Sequence, residues 1–583
     1  MLATDALIAS GGQLAPLSNE SLEAFNSLLP PYWSHANPID ILGDAEPERY
    51  AEALRIATQD PNSDGLLVIL APQGMTDPKR VADALAPYAK ISGKPVLASW
   101  MGGKVVSKGV AALNAAGIPT FSYPDTAARA FQYMWRFTYN LRGLYETPAL
   151  ADDVEMTEAS REKVGAMLQP ARNAKRSILT EAESKQILAL YGIPTVETRV
   201  ATSQAEAALW AREIGFPVVL KVYSETITHK TDVGGVKLDL KDDQSVRAAY
   251  RQIEASVCEK AGAARFQGVT VQPMIKLEGY ELILGSSIDP QFGPVILFGA
   301  GGQLVEVFRD HALALPPLNS TLAQRLMEQT QIFHALKGVR GRRPVDLLEI
   351  ERILVRFSRL VLEQPWIKEL DINPLLAAPE RILALDARIV LYDAATPVEQ
   401  LSRSAIRPYP AQYVSPWITK AGVQVLVRPI RPEDEPAVIR FHERLSDRSV
   451  YLRYFHMEKL SERVAHERLL RKCFIDYDRE MVLIVESTGA GGAREILGIG
   501  RLTKALGASG GEVAVLVADE HQKEGIGTEL LRRLIAISRD EKLQSVEANL
   551  LAENAGMSAL ASHFGFNSQK GADPSQMSAV LRL

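Results

Sequence analysis

Residues Val513-Ala514-Val515-Leu516-Val517-Ala518 form an apolar, β-branched run that breaks at Asp519–His521 and turns through Gly525 and Gly527. From Glu529 to Ile537, apolar residues then recur at helical spacing. A strand that feeds a glycine-containing turn onto a helix N-terminus is a cradle for an anion. The first N–H groups of the helix have no partner within it, and the helix dipole favours negative charge there. Gly525 and Gly527 carry no Cβ, so the main chain can approach a diphosphate closely.

The elements that must position this cradle belong to a chain of ordinary globular composition. Its 583 residues suggest about four domains, with 23% charged and 46% hydrophobic residues. A net charge of -5 offers no bulk basic field for nucleic acid. Cys258 and Cys473 are too far apart to make a disulfide framework, which fits a reducing, cytoplasmic setting. No apolar run is long enough to span a bilayer, and Met1–Asp5 lacks the basic and apolar regions of a signal peptide.

Along the chain, residues 1–145 alternate strand-like and helix-like segments, which predicts a parallel α/β sheet. The expected strands are Gly65–Leu70, Lys94–Trp100 and Ile118–Phe121, with a helix over Asp77–Ile91. Residues 146–177 are charged and read as a linker. From 178 to 395 a second α/β region begins with a capping-box pattern at Thr180–Glu183. Residues 396–421 hold Pro397, Pro408, Pro410 and Pro416 and read as an extended linker. Residues 422–583 carry the cradle.

The order Gln522-x-x-Gly525-x-Gly527 resembles the acetyl-CoA motif of GNAT N-acetyltransferases. The resemblance implies an α+β GNAT fold, with acetyl-CoA held by Val515, Leu516, Val517, Gln522, Lys523, Glu524, Gly525, Ile526, Gly527 and Thr528. Asn554, followed by His563-Phe564-Gly565-Phe566, resembles the segment of that family that runs along the pantetheine arm; an N-cap is its alternative role. Glu512 resembles the glutamate base of bacterial protein lysine acetyltransferases, since only a neutral amine attacks a thioester. Cys473 is expected to be a small buried hydrophobe, so transfer is expected to be direct, in a ternary complex. The acidic segment Asp476, Asp478 and Glu480 is expected to attract a lysine-bearing loop.

The first two regions resemble ADP-forming acyl-CoA synthetases of the succinyl-CoA-synthetase type. Asn37-Pro38-Ile39-Asp40 and Leu70-Ala71-Pro72-Gln73-Gly74 carry the likeness in residues 1–145, implying a flavodoxin-like domain. The strand and glycine turn that precede Leu2–Leu7 in that family are absent here, as are its CoA-binding Rossmann domain and phosphohistidine segment. The expectation is a truncated domain, poorly protected over its first residues, in a chain that looks like the C-terminal part of a longer architecture. In residues 178–395 the resemblance implies an ATP-grasp domain binding ATP or ADP. Lys221 would contact phosphate and His229 would match a phosphoryl-transfer histidine. Gln272, Pro273 and Met274 would form the adenine hinge, with Glu281 beyond it. Asn373 and Asp386 match the Mg²⁺ positions, where hard oxygen ligands are needed. Ala314 stands where these synthetases often carry Arg, which counts against nucleotide turnover while leaving nucleotide binding.

The combination resembles the bacterial Pat-type protein lysine acetyltransferases, which fuse a synthetase-like region to a GNAT domain. It implies an acetyl-CoA donor and a lysine on a metabolic enzyme, notably an acetyl-CoA synthetase, as acceptor; the synthetase-like region would be regulatory. The alternatives are an ADP-forming acyl-CoA synthetase β-type half with an accessory GNAT domain, a GNAT enzyme acting on a small amine, and a non-catalytic nucleotide sensor. The sequence leaves the oligomeric state open.

Overall fold

The computed structural model describes residues 1–74, 76–89, 93–144, 158–227, 230–302, 309–339, 341–488, 494–504, 509–570 and 573–583. The chain divides into two compact units, residues 1–145 and 146–583. Among the described residues, no helix is long and apolar enough to cross a membrane.

The first unit is built on a parallel sheet of three strands, Leu66–Leu70, Val96–Trp100 and Thr120–Phe121, in that spatial order. Each is an apolar run bounded by glycine or proline, so all three expected strands are present. Pro78–Leu85 forms the expected helix because Asp77 accepts hydrogen bonds from the Lys79 and Arg80 N–H groups and Pro78 needs no N–H partner at the first turn. Val81, Leu85 and Leu113 pack with Trp100 in the core. Helix Leu2–Ala9 buries none of its residues.

The second unit begins with two sheets. Strands Arg199–Ala201, Gly268–Pro273, Val218–Tyr223 and Val236–Leu240 make an antiparallel sheet in that order. Strands His311–Ala314, Gly293–Ala300, Tyr280–Asp289, Ile367–Ala377 and Ile382–Ala384 make the other, and Ala387–Leu391 also pairs with Ile367–Ala377. Helix Leu347–Glu363 buries Ile350, Ile353, Leu354, Phe357 and Leu360 against it, a stripe at 3- and 4-residue spacing.

The structure revises both expected linkers. Within 146–177, helix Glu158–Asn173 places Val164, Leu168 and Ala171 in the same core as Ile187 and Leu360. That stripe is spaced by four and three residues, and charged neighbours mask it in the sequence. Within 396–421, the two halves diverge. The Ala405 N–H donates to the Phe292 carbonyl of the preceding region. Tyr409 is buried in the C-terminal core, and Ser415–Ile418 pairs with Gln424–Val427 as an edge strand. Pro416 is tolerated there because an edge strand can leave one side of its ladder unused.

The C-terminal sheet has eight strands in the order Ser415–Ile418, Gln424–Pro429, Glu480–Thr488, Arg494–Lys504, Gly510–Val517, Ser545–Leu551, Gln576–Arg582 and Asn567–Lys570. Every pair is antiparallel except Gly510–Val517 with Ser545–Leu551. Helix Ile526–Asp540 packs on one face through Leu530, Leu531 and Leu534. Helices Glu435–Glu443, Asp447–Tyr454 and His466–Cys473 cover the other, where Cys473 is buried as expected.

Candidate functional site

The one parallel pair in the C-terminal sheet is short. Its rungs are Gly510↔Ser545, Gly511↔Val546 and Glu512↔Glu547, and then the ladder stops. On its other edge the same strand is paired from Gly511 to Val517. Among the described residues no strand pairs with Val513–Val517 on this edge, where the two strands part, although Gln522 Nε2 donates to the Val517 carbonyl at 3.4 Å. Buried peptide groups demand partners, so this edge is ready to pair with an amide-bearing ligand.

The chain leaves this strand through a short helical turn at Asp519–His521 and enters helix Ile526–Asp540. Its N-cap is Gly525, left-handed at φ +90°, and no side chain caps the helix. The first-turn N–H groups are thus left for an external acceptor. A Cβ at Gly525 would press on the Lys420 side chain at 3.3 Å, whereas one at Gly527 would make ordinary contacts with Leu560, Val517 and Val515 at 3.7, 3.8 and 3.9 Å. Lys523 is also left-handed, at φ +71°. The Gln522 Nε2 donates to Ser449 Oγ at 3.1 Å and so ties the turn to helix Asp447–Tyr454. Glu524 accepts the Lys420 N–H through its carbonyl, and its carboxylate faces His521 Nδ1 at 3.3 Å. Asn554 Oδ1 accepts the Met557 N–H and caps helix Ala555–His563, the N-cap role. These features fit a diphosphate on the Gly525 turn, as the sequence motif implies. Lys420 escaped the sequence reading because it lies in the proline-containing segment, more than a hundred residues before the turn it covers.

Glu512 is exposed on the sheet face opposite helix Ile526–Asp540, since it pairs with Thr503 and alternates with buried Val513. The expected acidic attraction for a lysine loop is not what the structure provides. Glu480 is held by Arg501 at 2.6 Å, Asp478 lies 3.5 Å from Arg407 and Asp476 lies 3.4 Å from Arg479. Each carboxylate is offset by a local cation.

In the middle region a second constellation centres on Glu181. Its buried carboxylate receives Lys185 Nζ at 2.7 Å, Lys221 Nζ at 3.0 Å, Lys230 Nζ at 2.5 Å and Gln272 Nε2 at 2.6 Å. Burial alone would raise the Glu181 pKa, but Lys221, Lys185 and Lys230 together hold it well below the usual glutamate value. Burial and Lys221 push Lys185 down to about 8, against the opposing pull of Glu181. Burial would also depress Lys221, but Glu181 and Asp386 outweigh it and leave its pKa raised. Asp386 Oδ2 lies 3.5 Å from both Lys221 and Lys230. Glu181 and Lys230 were missed as site residues because four separate elements bring these groups together; the capping box that starts the Glu181 helix was visible, with Thr180 and Glu183 bonded reciprocally.

Asn373 and Asp386 are brought side by side. Ile372 pairs with Ala387 and Leu375 with Ala384, so the intervening Asn373-Pro374 faces Leu385-Asp386 across the ladder. Two oxygen-bearing side chains on one edge, with lysines beside them, fit a Mg²⁺ ion completed by phosphate oxygens. Among the described residues, no group of three or more His, Cys, Asp or Glu side chains could hold a metal by itself. In the hinge, Gln272 pairs with Val219, Pro273 has no N–H, and the Met274 N–H already donates to Pro217. The Glu281 side chain lies over Gly302, whose Cβ would meet it at 2.6 Å. His229 lies outside the described residues.

Comparison with known proteins agrees with this division. A Ligase-CoA domain matches residues 1–139, an ATP-grasp domain residues 170–391 and an acetyltransferase (GNAT) domain residues 424–567. The subunit beta of acetate–CoA ligase (ADP-forming) I from Pyrococcus furiosus is 39% identical over 229 residues, which cover 39% of this chain and 98% of that protein. The chain belongs to the ADP-forming acetate–CoA ligase family. Its ligase-like region is fused to a C-terminal GNAT domain. Acetate–CoA ligase (ADP-forming) I of Archaeoglobus fulgidus is 34% identical over 67% of the chain and 55% of its own length. The 4-hydroxybutyrate–CoA ligase (ADP-forming) of Nitrosopumilus maritimus is 32% identical over 64% and 53%. The chain thus spans about half the length of these two relatives. Among solved structures, dinucleotide-forming acetyl-coenzyme A synthetase 1 of Ca. Korarchaeum cryptofilum, in complex with coenzyme A and Ca-AMPCP, is 42% identical over 39% of this ligase-family chain and 99% of its own, with a TM-score of 0.38. The GNAT domain of S. lividans PAT is 24% identical over 30% and 99%, with a TM-score of 0.27. Acetyl-CoA is the cofactor of GNAT domains, and ATP or ADP with Mg²⁺ that of ATP-grasp ADP-forming ligases.

Proposed function

We propose that the protein is a protein lysine N-acetyltransferase whose acceptor is a lysine of a metabolic enzyme, such as an acetyl-CoA synthetase, and whose ligase-like region is regulatory. The observation that carries this reading is the position of Glu512 on the last rung before two strands part, on the same strand that leads into the uncapped helix at Gly525. Bound acetyl-CoA would supply the thioester. Gly525, Gly527 and the first N–H groups of helix Ile526–Asp540 would hold its diphosphate, with Lys420 beside them. The unpaired edge of Val513–Val517 would offer N–H groups to the pantetheine amides and the thioester carbonyl. Glu512 would accept the proton of the incoming lysine ammonium, and the free amine would attack the carbonyl directly. In the ligase-like region, Lys221, Lys230, Asn373 and Asp386 would hold a Mg²⁺-nucleotide, with Lys221 and Lys230 exchanging their contacts to Glu181 for phosphate when the nucleotide arrives.

The deciding experiment is acetyl transfer from labelled acetyl-CoA to a purified acetyl-CoA synthetase, comparing wild type with Glu512→Gln. Label on a lysine with the wild type alone supports the reading. Absence of label with both, alongside normal acetyl-CoA binding, refutes it.

The match to an ADP-forming ligase subunit over 98% of its length favours a second reading, in which the chain is the β-type half of such a ligase. It requires ADP release from ATP dependent on an acid and CoA, and loss of that release in Lys221→Ala.

A further inference from the structure

The face of the C-terminal sheet that carries Glu512 also carries an unbalanced group of cations. Tyr454, at the end of helix Asp447–Tyr454, is ringed by Arg453 at 5.3 Å, Lys472 Nζ at 5.3 Å and Arg468 at 5.7 Å from its centroid. Lys472 Nζ also donates to Tyr454 Oη at 3.3 Å. Arg468 is paired with Glu458, and Arg501 with Glu480. No carboxylate among the described residues lies within 4.0 Å of Arg453 or Lys472, although both are half-buried. Arg501 Nε is itself buried without a hydrogen-bond partner.

Strand register puts this group beside the proposed base. Arg501 pairs with Ala514 and Thr503 pairs with Glu512. Alternation then places Arg501, Thr503, Glu512 and Ala514 on one face, with Arg501 one pair away from Glu512. Glu512 is also close enough to act electrostatically on Arg453.

Half-buried cations without a carboxylate in contact are costly, and an aromatic face offsets only part of that cost. The local field is positive: burial, then Arg468, Arg453 and Arg501, lower the Lys472 pKa to about 8. An incoming lysine ammonium would be repelled by this field unless its own surroundings brought negative charge.

We propose that Arg453, Lys472 and Arg501, gathered beside Tyr454 and Glu512, form a subsite for a carboxylate side chain that neighbours the acceptor lysine in the substrate protein. This rests on the protein lysine acetyltransferase reading and names the acceptor class: lysines flanked by Asp or Glu. The carboxylate would supply the contacting counter-charge that Arg453 and Lys472 lack, with Arg501 already shared with Glu480, and its neighbouring ammonium would be left at Glu512.

The test uses the full chain, acetyl-CoA and matched peptides with one lysine, flanked by Glu, by Gln or by Arg. In the wild type, kcat/KM for the Glu-flanked peptide is expected to exceed that for the Gln-flanked one by about tenfold, with the Arg-flanked peptide poorest. In Arg453→Gln and in Lys472→Gln the Glu-to-Gln ratio should fall toward unity while acetyl-CoA affinity is kept. A ratio within one enzyme is insensitive to a general loss of folding, so a structural role alone would leave it unchanged. Equal rates on Glu- and Gln-flanked peptides in the wild type, or an unchanged ratio in both variants, would overturn the subsite. Failure of the wild type to acetylate any peptide or an intact acetyl-CoA synthetase, despite binding acetyl-CoA, would overturn the lysine acetyltransferase reading and the subsite with it.

Discussion

Glu512 and Glu547 face each other across the last rung between Gly510–Val517 and Ser545–Leu551, and beyond them the strands no longer pair. Two carboxylates directly opposite each other are unfavourable in a ladder. Glu547 is occupied by Ser578 Oγ at 2.6 Å, which leaves Glu512, among the described residues, as the carboxylate without a side-chain hydrogen bond at the point of separation. A proton acceptor at the mouth of an opening bounded by free backbone edge is the arrangement an acyl transfer from a long, amide-bearing donor requires.

Glu512→Gln removes the acceptor but keeps the shape of the side chain. The expected outcome is a fall in kcat by about 10²–10⁴, with acetyl-CoA affinity unchanged, measured by labelled transfer and by calorimetric titration. Raising the pH should recover part of the activity, because more of the acceptor lysine is then already neutral. Full activity of the variant at neutral pH would assign the proton to another group.

The two glycines of the turn should fail differently. Gly525 is left-handed and touched by Lys420, so Gly525→Ala is expected to cost about 1–2 kcal/mol in stability, read as a lowered Tm. A Cβ at Gly527 would meet only ordinary contacts with Leu560, Val517 and Val515, so Gly527→Val should change Tm less than Gly525→Ala and weaken acetyl-CoA binding by about tenfold or more, because its bulk would stand at the helix N-terminus proposed to hold the diphosphate. Equal acetyl-CoA affinity in wild type and Gly527→Val would place the diphosphate elsewhere.

Much of this organisation is legible in the chain because it is local. The strands at Leu66–Leu70 and Val96–Trp100 are apolar runs bounded by breakers, and the Thr180–Glu183 box is set by a three-residue spacing. The Gly525–Gly527 turn is similarly contained in a few residues. What escaped depends on long-range assembly. Glu181 becomes a hub only when strands carrying Lys221 and Gln272 and the loop carrying Lys230 meet its helix. Asp476, Asp478 and Glu480 look like an acidic patch in sequence, but arginines 407 and 501 arrive from distant positions to offset two of them. The buried stripe of Glu158–Asn173 is hidden by charges on its other face.

In the ligase-like region, Lys221→Ala and Asp386→Ala should each weaken ATP binding by at least about tenfold in the presence of Mg²⁺. The two losses should differ without Mg²⁺. Lys221 would contact phosphate directly and should still matter, whereas Asp386 would act through the metal and its removal should then have little effect. Titration of ATP with and without Mg²⁺ separates the two roles, and neither variant should alter acetyl transfer to a peptide.

Glu181 should dominate the acid stability of this region. Its carboxylate offsets three lysines in a buried setting, so Glu181→Gln leaves buried cations without their partner and is expected to cost about 3–5 kcal/mol at neutral pH. The folded pKa lies well below the ordinary 4.5, so the stabilisation is fully present above pH 4.5 and is lost as pH falls through the folded value. The difference in unfolding free energy between wild type and Glu181→Gln should therefore be constant near neutrality and shrink only in the acid range, where protonated Glu181 comes to resemble glutamine. Denaturant titrations at pH 7 and at successively lower pH measure that difference directly. A gap that stays constant into acid would mean that the three lysines, rather than the carboxylate, set the electrostatics of the site.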